Sequence, residues 1–220
     1  MVKEAPAYSG RAREILPIVL VNTLLTFLTV GIYRFWAKTR IRRYFVSRVS
    51  FLNDPLEYTG TGLELFIGFL IVLAILVPIF IVSSILQSQL VHPGTDPMSI
   101  VIYQLAYMIG FYFLYNVAVY RAQRYRLSRI NWRGIRGGQE GSALRYALYA
   151  LGLGLLNLGT VFLLYPLMRR VLIGYRLNNA SFGTEKIHFF GGMAKLFVAW
   201  LLPWLMMIGL FALLGFASWE

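Results

Sequence analysis

Apolar positions along the 220-residue chain gather into five blocks, roughly residues 15–37, 65–86, 100–120, 143–168 and 196–216. Three of them are uninterrupted by charge: LFIGFLIVLAILVPIFIVSSIL (Leu65 to Leu86), IVIYQLAYMIGFYFLYNVAVY (Ile100 to Tyr120) and LFVAWLLPWLMMIGLFALLGF (Leu196 to Phe216). Each is long enough, as a helix, to cross a hydrocarbon core of ~30 Å. The other two carry polar and glycine positions in mid-block, in VNTLLTFLTVG (Val21 to Gly31) and GLGLLNLGT (Gly152 to Thr160). Between the blocks the period shortens to alternation. FVSRVSFLNDPLEYTG turns around Asn53, Asp54 and Pro55, LSRINWRGIRG around Gly134, and LNNASFGTEKIHFFG around Gly183. These segments predict three short β-hairpins, with Gly60, Gly137 and Gly191 leading into the following helices.

The pattern repeats. YFVSRVSF (Tyr44 to Phe51) returns as YRLSRINW (Tyr125 to Trp132) and as YRLNNASF (Tyr175 to Phe182). A shift of 131 residues places Leu24 on Leu155, Thr29 on Thr160, Tyr44 on Tyr175, Phe51 on Phe182 and Gly60 on Gly191 without a gap. A shift of 81 places Arg40, Arg43, Tyr44, Ser47 and Arg48 on Arg121, Arg124, Tyr125, Ser128 and Arg129. A second element, aromatic-x-Gly, opens YSGRAREIL, YTGTGLELF and FFGGMAKLF, with IRGGQEGSA as a weaker relative. The expected architecture is an all-α polytopic membrane protein built from three degenerate repeats, 8–57, 58–134 and 135–188, with a terminal transmembrane helix at 189–220. Short cytoplasmic β-hairpins punctuate it, and each octapeptide reads as one arm of a hairpin.

Composition fits this class: 58% of residues are hydrophobic, only 14% are charged, and cysteine is absent. A soluble domain carries roughly 25% charged residues. The net charge of +12 sits at the margins of the apolar blocks rather than on a soluble basic face, which argues against nucleic acid and for anionic lipid. Basic clusters follow the first, third and fourth blocks, while the loop QSQLVHPGTDP after the second has neither Lys nor Arg. By the positive-inside rule the clusters are cytoplasmic and that loop is external. If blocks 15–37 and 143–168 each crossed once, the third cluster would fall outside. Re-entrant folding of both blocks keeps all three inside, so the reading favours re-entrance over crossing, with Asn, Thr and Gly supplying the breaks. The N-terminal stretch MVKEAPAYSGRARE has no signal-peptide pattern.

One segment carries a resemblance. In LTVGIYRFWAKTRIRRYFVSRVSFLNDPLEYTGTGLELFIG, the positions Val30, Gly31, Ile32, Tyr33, Trp36, Ala37, Lys38, Arg40, Arg42, Arg43, Tyr44, Tyr58, Gly60, Glu64 and Leu65 resemble the pattern of the YjgN-like family of bacterial inner-membrane proteins. The resemblance implies a multi-pass protein of the bacterial inner membrane and no particular chemistry. It covers the first third of the chain; the later units lack Trp-Ala-Lys.

Candidate sites follow from residue type and depth. Arg40 with Arg43, Arg121 with Arg124, and Arg169 with Arg170, beside Tyr44, Tyr125 and Tyr175, are candidates for gripping an anionic lipid headgroup or solute, against the plainer reading of topology determinants and interface anchors. Asn22, Asn157 and Gln104 are amides within the apolar blocks and require partners, either neighbouring helices or a ligand at a helix break. Glu14 and Glu64 sit at helix starts, where a carboxylate faces the positive end of the helix dipole. His92 and His188 share no ligand spacing, and no catalytic or cofactor motif occurs, so neither an enzyme nor a metal or cofactor is expected. Two functions stay open: a transporter-like or ligand-binding membrane module for an anionic lipid or solute, and a structural, lipid-organising scaffold that docks cytoplasmic partners.

Overall fold

The computed structural model describes residues 5–90, 92 and 94–217; the first residues of the N-terminal stretch, part of the loop QSQLVHPGTDP and the last three residues of the expected terminal helix lie outside them. In chain order the elements are β1 (Ala7–Tyr8), α1 (Ala12–Leu28), α2 (Arg34–Ser47), β2 (Val49–Phe51), β3 (Asp54–Pro55), β4 (Glu57–Tyr58), α3 (Gly62–Leu90) and α4 (Pro97–Ser128). There follow β5 (Ile130–Trp132), β6 (Ile135–Gln139), α5 (Ala143–Gly159), α6 (Tyr165–Asn178), β7 (Ala180–Phe182), β8 (Glu185–Lys186) and α7 (Met193–Ala217). Three helices, α3, α4 and α7, are long and apolar enough to cross a membrane, and these coincide with the three uncharged blocks. The chain divides into two compact units, one of Met1–Tyr107 with Arg124–Gly138, the other of Met108–Gln123 with Gln139–Glu220.

Both polar-interrupted blocks are helical hairpins rather than single helices. α1 stops at Leu28 because Val30 and Gly31 take φ of 52° and 87°, values that end a right-handed helix. Gly31 N–H donates to Thr26 O at 2.7 Å, and Tyr33 N–H donates to the Thr29 hydroxyl at 2.9 Å, so the tip satisfies much of its own backbone. The later block breaks in the same way, with Val161 and Phe162 at φ 47° and 63° and Phe162 N–H donating to Asn157 O at 2.7 Å. At this second tip two carbonyls receive outside help. The indole N–H of Trp200 donates to Phe162 O at 3.0 Å, and that of Trp204 to Val161 O at 2.8 Å, both from α7.

In the first unit, α2 packs on α3 through Phe35 against Phe66 and Phe69, at centroid distances of 5.5 and 5.1 Å. Gly62 lies so close to the Trp36 ring that an added Cβ would sit 2.6 Å from it. α3 and α4 are tied by the Tyr103 hydroxyl donating to Ser83 O at 2.6 Å. In the second unit, Tyr120, Tyr146, Ala150 and Leu172 form the buried core, flanked by Tyr112 and Tyr175.

The octapeptides are not hairpin arms throughout. Their first residues form the last turn of α2, α4 and α6, and only their final three are strand. The hairpins are real but tighter than the sequence suggests. Phe51 pairs with Asp54 across Leu52 and Asn53, and Trp132 pairs with Ile135 across Arg133 and Gly134. All four turn residues have positive φ, the geometry of the two-residue turn that matches strand twist. Asp54 and Pro55 are therefore strand residues, displaced from the expected turn by one position. The third hairpin, Phe182 with Glu185, turns on Gly183 and Thr184. In the first unit β4 continues the return arm of the first hairpin and pairs with β5, joining the first two hairpins; Trp132 Nε1 donates to Phe51 O at 3.2 Å. Gly137 lies inside β6, so the glycine leading into α5 is Gly141, at φ 83°.

The break at Gly31 yields a direct expectation. Gly31→Ala has room for its methyl group but must hold a left-handed backbone, costing about 1 kcal/mol and lowering the melting temperature by roughly 2–4 °C. Gly68→Ala, also in open space but within α3, should leave the melting temperature level or raise it, as circular dichroism of the detergent-solubilised protein would show.

Candidate functional site

A helix start exposes four unpaired N–H groups and a partial positive charge. Here three such starts receive a tyrosine from the helix that follows. The Tyr44 hydroxyl, on α2, accepts from Arg11 N–H at 3.1 Å and donates to Arg11 O at 2.9 Å, Arg11 being the residue that precedes α1. The Tyr175 hydroxyl, on α6, does the same to Ser142 before α5, at 3.1 Å each way. The Tyr125 hydroxyl, on α4, donates to Glu64 Oε2 in the first turn of α3 at 2.7 Å. Four residues after each tyrosine comes the residue that ends its helix, Arg48, Arg129 and Asn179. Its carbonyl accepts from the strand before the paired helix: Ser9 N–H to Arg48 O at 2.9 Å, Thr59 N–H to Arg129 O at 2.9 Å, Glu140 N–H to Asn179 O at 2.8 Å.

Charge completes two of these clasps. Arg48 pairs with Glu14 at 2.5 Å and stacks over the Tyr44 ring; Arg129 pairs with Glu64 at 2.7 Å and stacks over the Tyr125 ring. Both guanidinium carbons lie 5.4 Å from the ring centroid. At the third clasp Arg145 occupies the first-turn place of the glutamates and Asn179 that of the arginines, so where the acid becomes a base the base gives way to a neutral amide. The glutamates are thus more than dipole partners, as their spacing alone suggests; each anchors an arginine and a tyrosine from a distant helix. The aromatic-x-Gly pattern has a steric basis. A Cβ on Gly10, Gly60 or Gly191 would fall within 2.1–2.7 Å of the ring two residues earlier, Tyr8, Tyr58 or Phe189. Glycine there lets the ring lie across the backbone as the chain turns into the helix.

Arg40, Arg43, Arg121, Arg124, Arg169 and Arg170 are all exposed. Arg40 with Arg43, and Arg121 with Arg124, share a helix face three residues apart, whereas the adjacent Arg169 and Arg170 diverge by about 100° around α6. Arg170 Nε donates to Gly191 O at 3.0 Å. Neither of the two best-formed crevices is lined by any of the six. The hydroxyls of Tyr44, Tyr125 and Tyr175 are engaged in the clasps. Of the amides, Asn22 and Asn157 are each 2% exposed, and Gln104 lies on the outer surface of α4. Neither buried amide bridges to a neighbouring helix: among the described residues the Asn22 side chain has no hydrogen-bond partner, and Asn157 donates only to Leu153 O within its own helix. Among the described residues no group of three His, Cys, Asp or Glu side chains is placed to hold a metal ion.

Helices of this length and apolarity, with basic margins, define a membrane protein. The chain belongs to the bacterial family described as "bacterial protein of unknown function (DUF898)", whose sequence model matches residues 3–220. Over 88 residues it is 40% identical to the inner membrane protein YjgN of Salmonella typhimurium strain LT2, a stretch covering 40% of this chain and 21% of that protein. The chain therefore matches about one fifth of that relative's length. No solved structure matches it.

The clasps predict a specific coupling. Asn179→Arg alone places a second cation beside Arg145 and should destabilise the second unit, whereas Arg145→Glu with Asn179→Arg rebuilds the pair seen at the other clasps. The two changes should couple favourably by about 1 kcal/mol in a double-mutant cycle read by thermal denaturation. Tyr175→Phe, which removes a donor and an acceptor at Ser142, should cost about 1–2 kcal/mol in the same assay.

Proposed function

We propose that this chain is a multi-pass protein of the bacterial inner membrane whose cytoplasmic basic rim gathers the headgroups of anionic phospholipids. The observation that carries the reading is the set of exposed arginines, Arg40, Arg43, Arg121, Arg124, Arg169 and Arg170, standing at the margins of apolar helices. Paired guanidinium groups on one helix face can share a phosphate, and each basic side chain near an anionic surface contributes about 1 kcal/mol. A path for an anionic solute would need these groups turned toward a common cavity. Their exposure supports lipid organisation instead, with the hairpin turns available to cytoplasmic partners, and no catalytic step is assigned.

The topology that goes with this reading has three crossing helices, α3, α4 and α7, and two re-entrant hairpins, α1–α2 and α5–α6. It is supported by the breaks at Val30–Gly31 and Val161–Phe162 and by the length of α1 and α5, 17 residues or ~25 Å each, short of a ~30 Å core. Three strand–helix–helix repeats, 8–57, 58–134 and 135–188, with a terminal helix at 189–220, account for the three clasps. The printed name of the Salmonella relative supports the inner membrane as the location.

Because the chain has no cysteine, single thiols report cleanly. Thr184→Cys, in the third hairpin, should resist a membrane-impermeant maleimide in sealed cells while Gln89→Cys, beside the loop between α3 and α4, is labelled. Labelling of Thr184→Cys from outside would end the re-entrant topology. Native mass spectrometry should show retained anionic phospholipid, lost on Arg40→Ala with Arg43→Ala; retention of neutral lipid alone would remove the headgroup reading.

A further inference from the structure

Between α1 and α2 lies a crevice of about 670 Å³, within the ~300–1,000 Å³ typical of small-molecule sites. Val19, Thr26, Phe27, Val30, Ala37 and Ile41 line it, with Asn22 at its wall. No charged side chain is among its lining residues, so it offers nothing to a phosphate. Its one uncommitted donor is the Asn22 amide. Asn22 is 98% covered, yet neither Nδ2 nor Oδ1 meets a hydrogen-bond partner among the described residues. The two hydroxyls nearby have spent their protons on backbone, Thr23 on Val19 O at 2.8 Å and Thr26 on Asn22 O at 2.6 Å, and can only accept. A buried amide left unpaired costs about 1–3 kcal/mol, and hydrocarbon supplies nothing to satisfy it.

The geometry points to a binding site for a neutral lipid bearing a free hydroxyl, its polar end on Asn22 and its tail between the arms of the hairpin. A hydroxyl donates to Oδ1 and accepts from Nδ2–H, the two needs that one amide presents; an alkyl chain meets neither, and a phosphate or carboxylate would enter without a countercharge. The site is separate from the basic rim, and its ligand differs in charge, so failure of either reading leaves the other standing.

The test uses the full-length protein in nanodiscs and a long-chain alcohol carrying a diazirine beside its hydroxyl. Photolysis should label the α1–α2 segment, and the diazirine alkane of equal length should label it about tenfold less, the factor expected from one lost hydrogen bond of about 1.4 kcal/mol. Asn22→Leu should bring the alcohol down to the level of the alkane. Val19→Trp, a change at the exposed rim that keeps the amide, should block both probes. Equal labelling by alcohol and alkane in the unmodified protein overturns the proposal without recourse to a variant. So does an Asn22→Leu protein that melts higher and labels as before, since the amide would then have held only water.

Discussion

The constraint on which the rest depends is the satisfaction of backbone groups where helices begin at the membrane margin. A helix that starts without partners leaves several N–H groups unpaired. This chain answers with a tyrosine hydroxyl reaching back from the next helix, directly onto backbone at Tyr44 and Tyr175, and at Tyr125 through the Glu64 carboxylate, which accepts from Thr61 N–H. The same stroke fixes where the two helices meet, because the residue four positions later closes a strand hydrogen bond beside the start. Helix pairing and strand pairing are therefore one event in each hairpin, and the short strands need little stability of their own.

Much of this was legible in the sequence. The recurring octapeptide marked the clasps, since its first and fifth residues are the tyrosine and the helix-ending residue in every copy. The helices long and apolar enough to cross a membrane were plain from uncharged length, and the breaks at Val30 and Val161 from the polar and glycine positions around them. What the sequence concealed was which residue served which element. Alternation near Tyr44 looked like strand because the aromatic and small polar positions that suit a strand also suit a last helical turn. Asp54 and Pro55 are common turn residues, yet Leu52 and Asn53 take the turn because strand twist demands positive φ at both central positions.

Long-range pairing was the other hidden layer. Glu14 and Glu64 lie at helix starts, where their charge suffices to explain them, and nothing local points to Arg48 and Arg129. The signal was present only by comparison between copies: where glutamate gives way to Arg145, the distant arginine gives way to Asn179. The amides went differently. Position within an apolar block implies that Asn22 and Asn157 need partners, on a neighbouring helix or a ligand at a helix break; Asn157 turns back on its own helix, and Asn22 lies at the wall of a crevice. Burial could be read from the pattern; the direction of a side chain around its helix could not.

The two hairpin tips differ in when they can be finished. The tip at Gly31 draws on the Thr29 hydroxyl and its own backbone, all of which are in place once α2 has emerged from the ribosome. The tip at Phe162 also bonds its own backbone, Phe162 O accepting from Tyr165 N–H at 3.2 Å, but it takes two further donors, the indoles of Trp200 on Phe162 O and Trp204 on Val161 O, which are translated later. During synthesis the Val161 carbonyl gains its indole donor once α7 arrives, and the last helix acts as a late tie on a turn made before it.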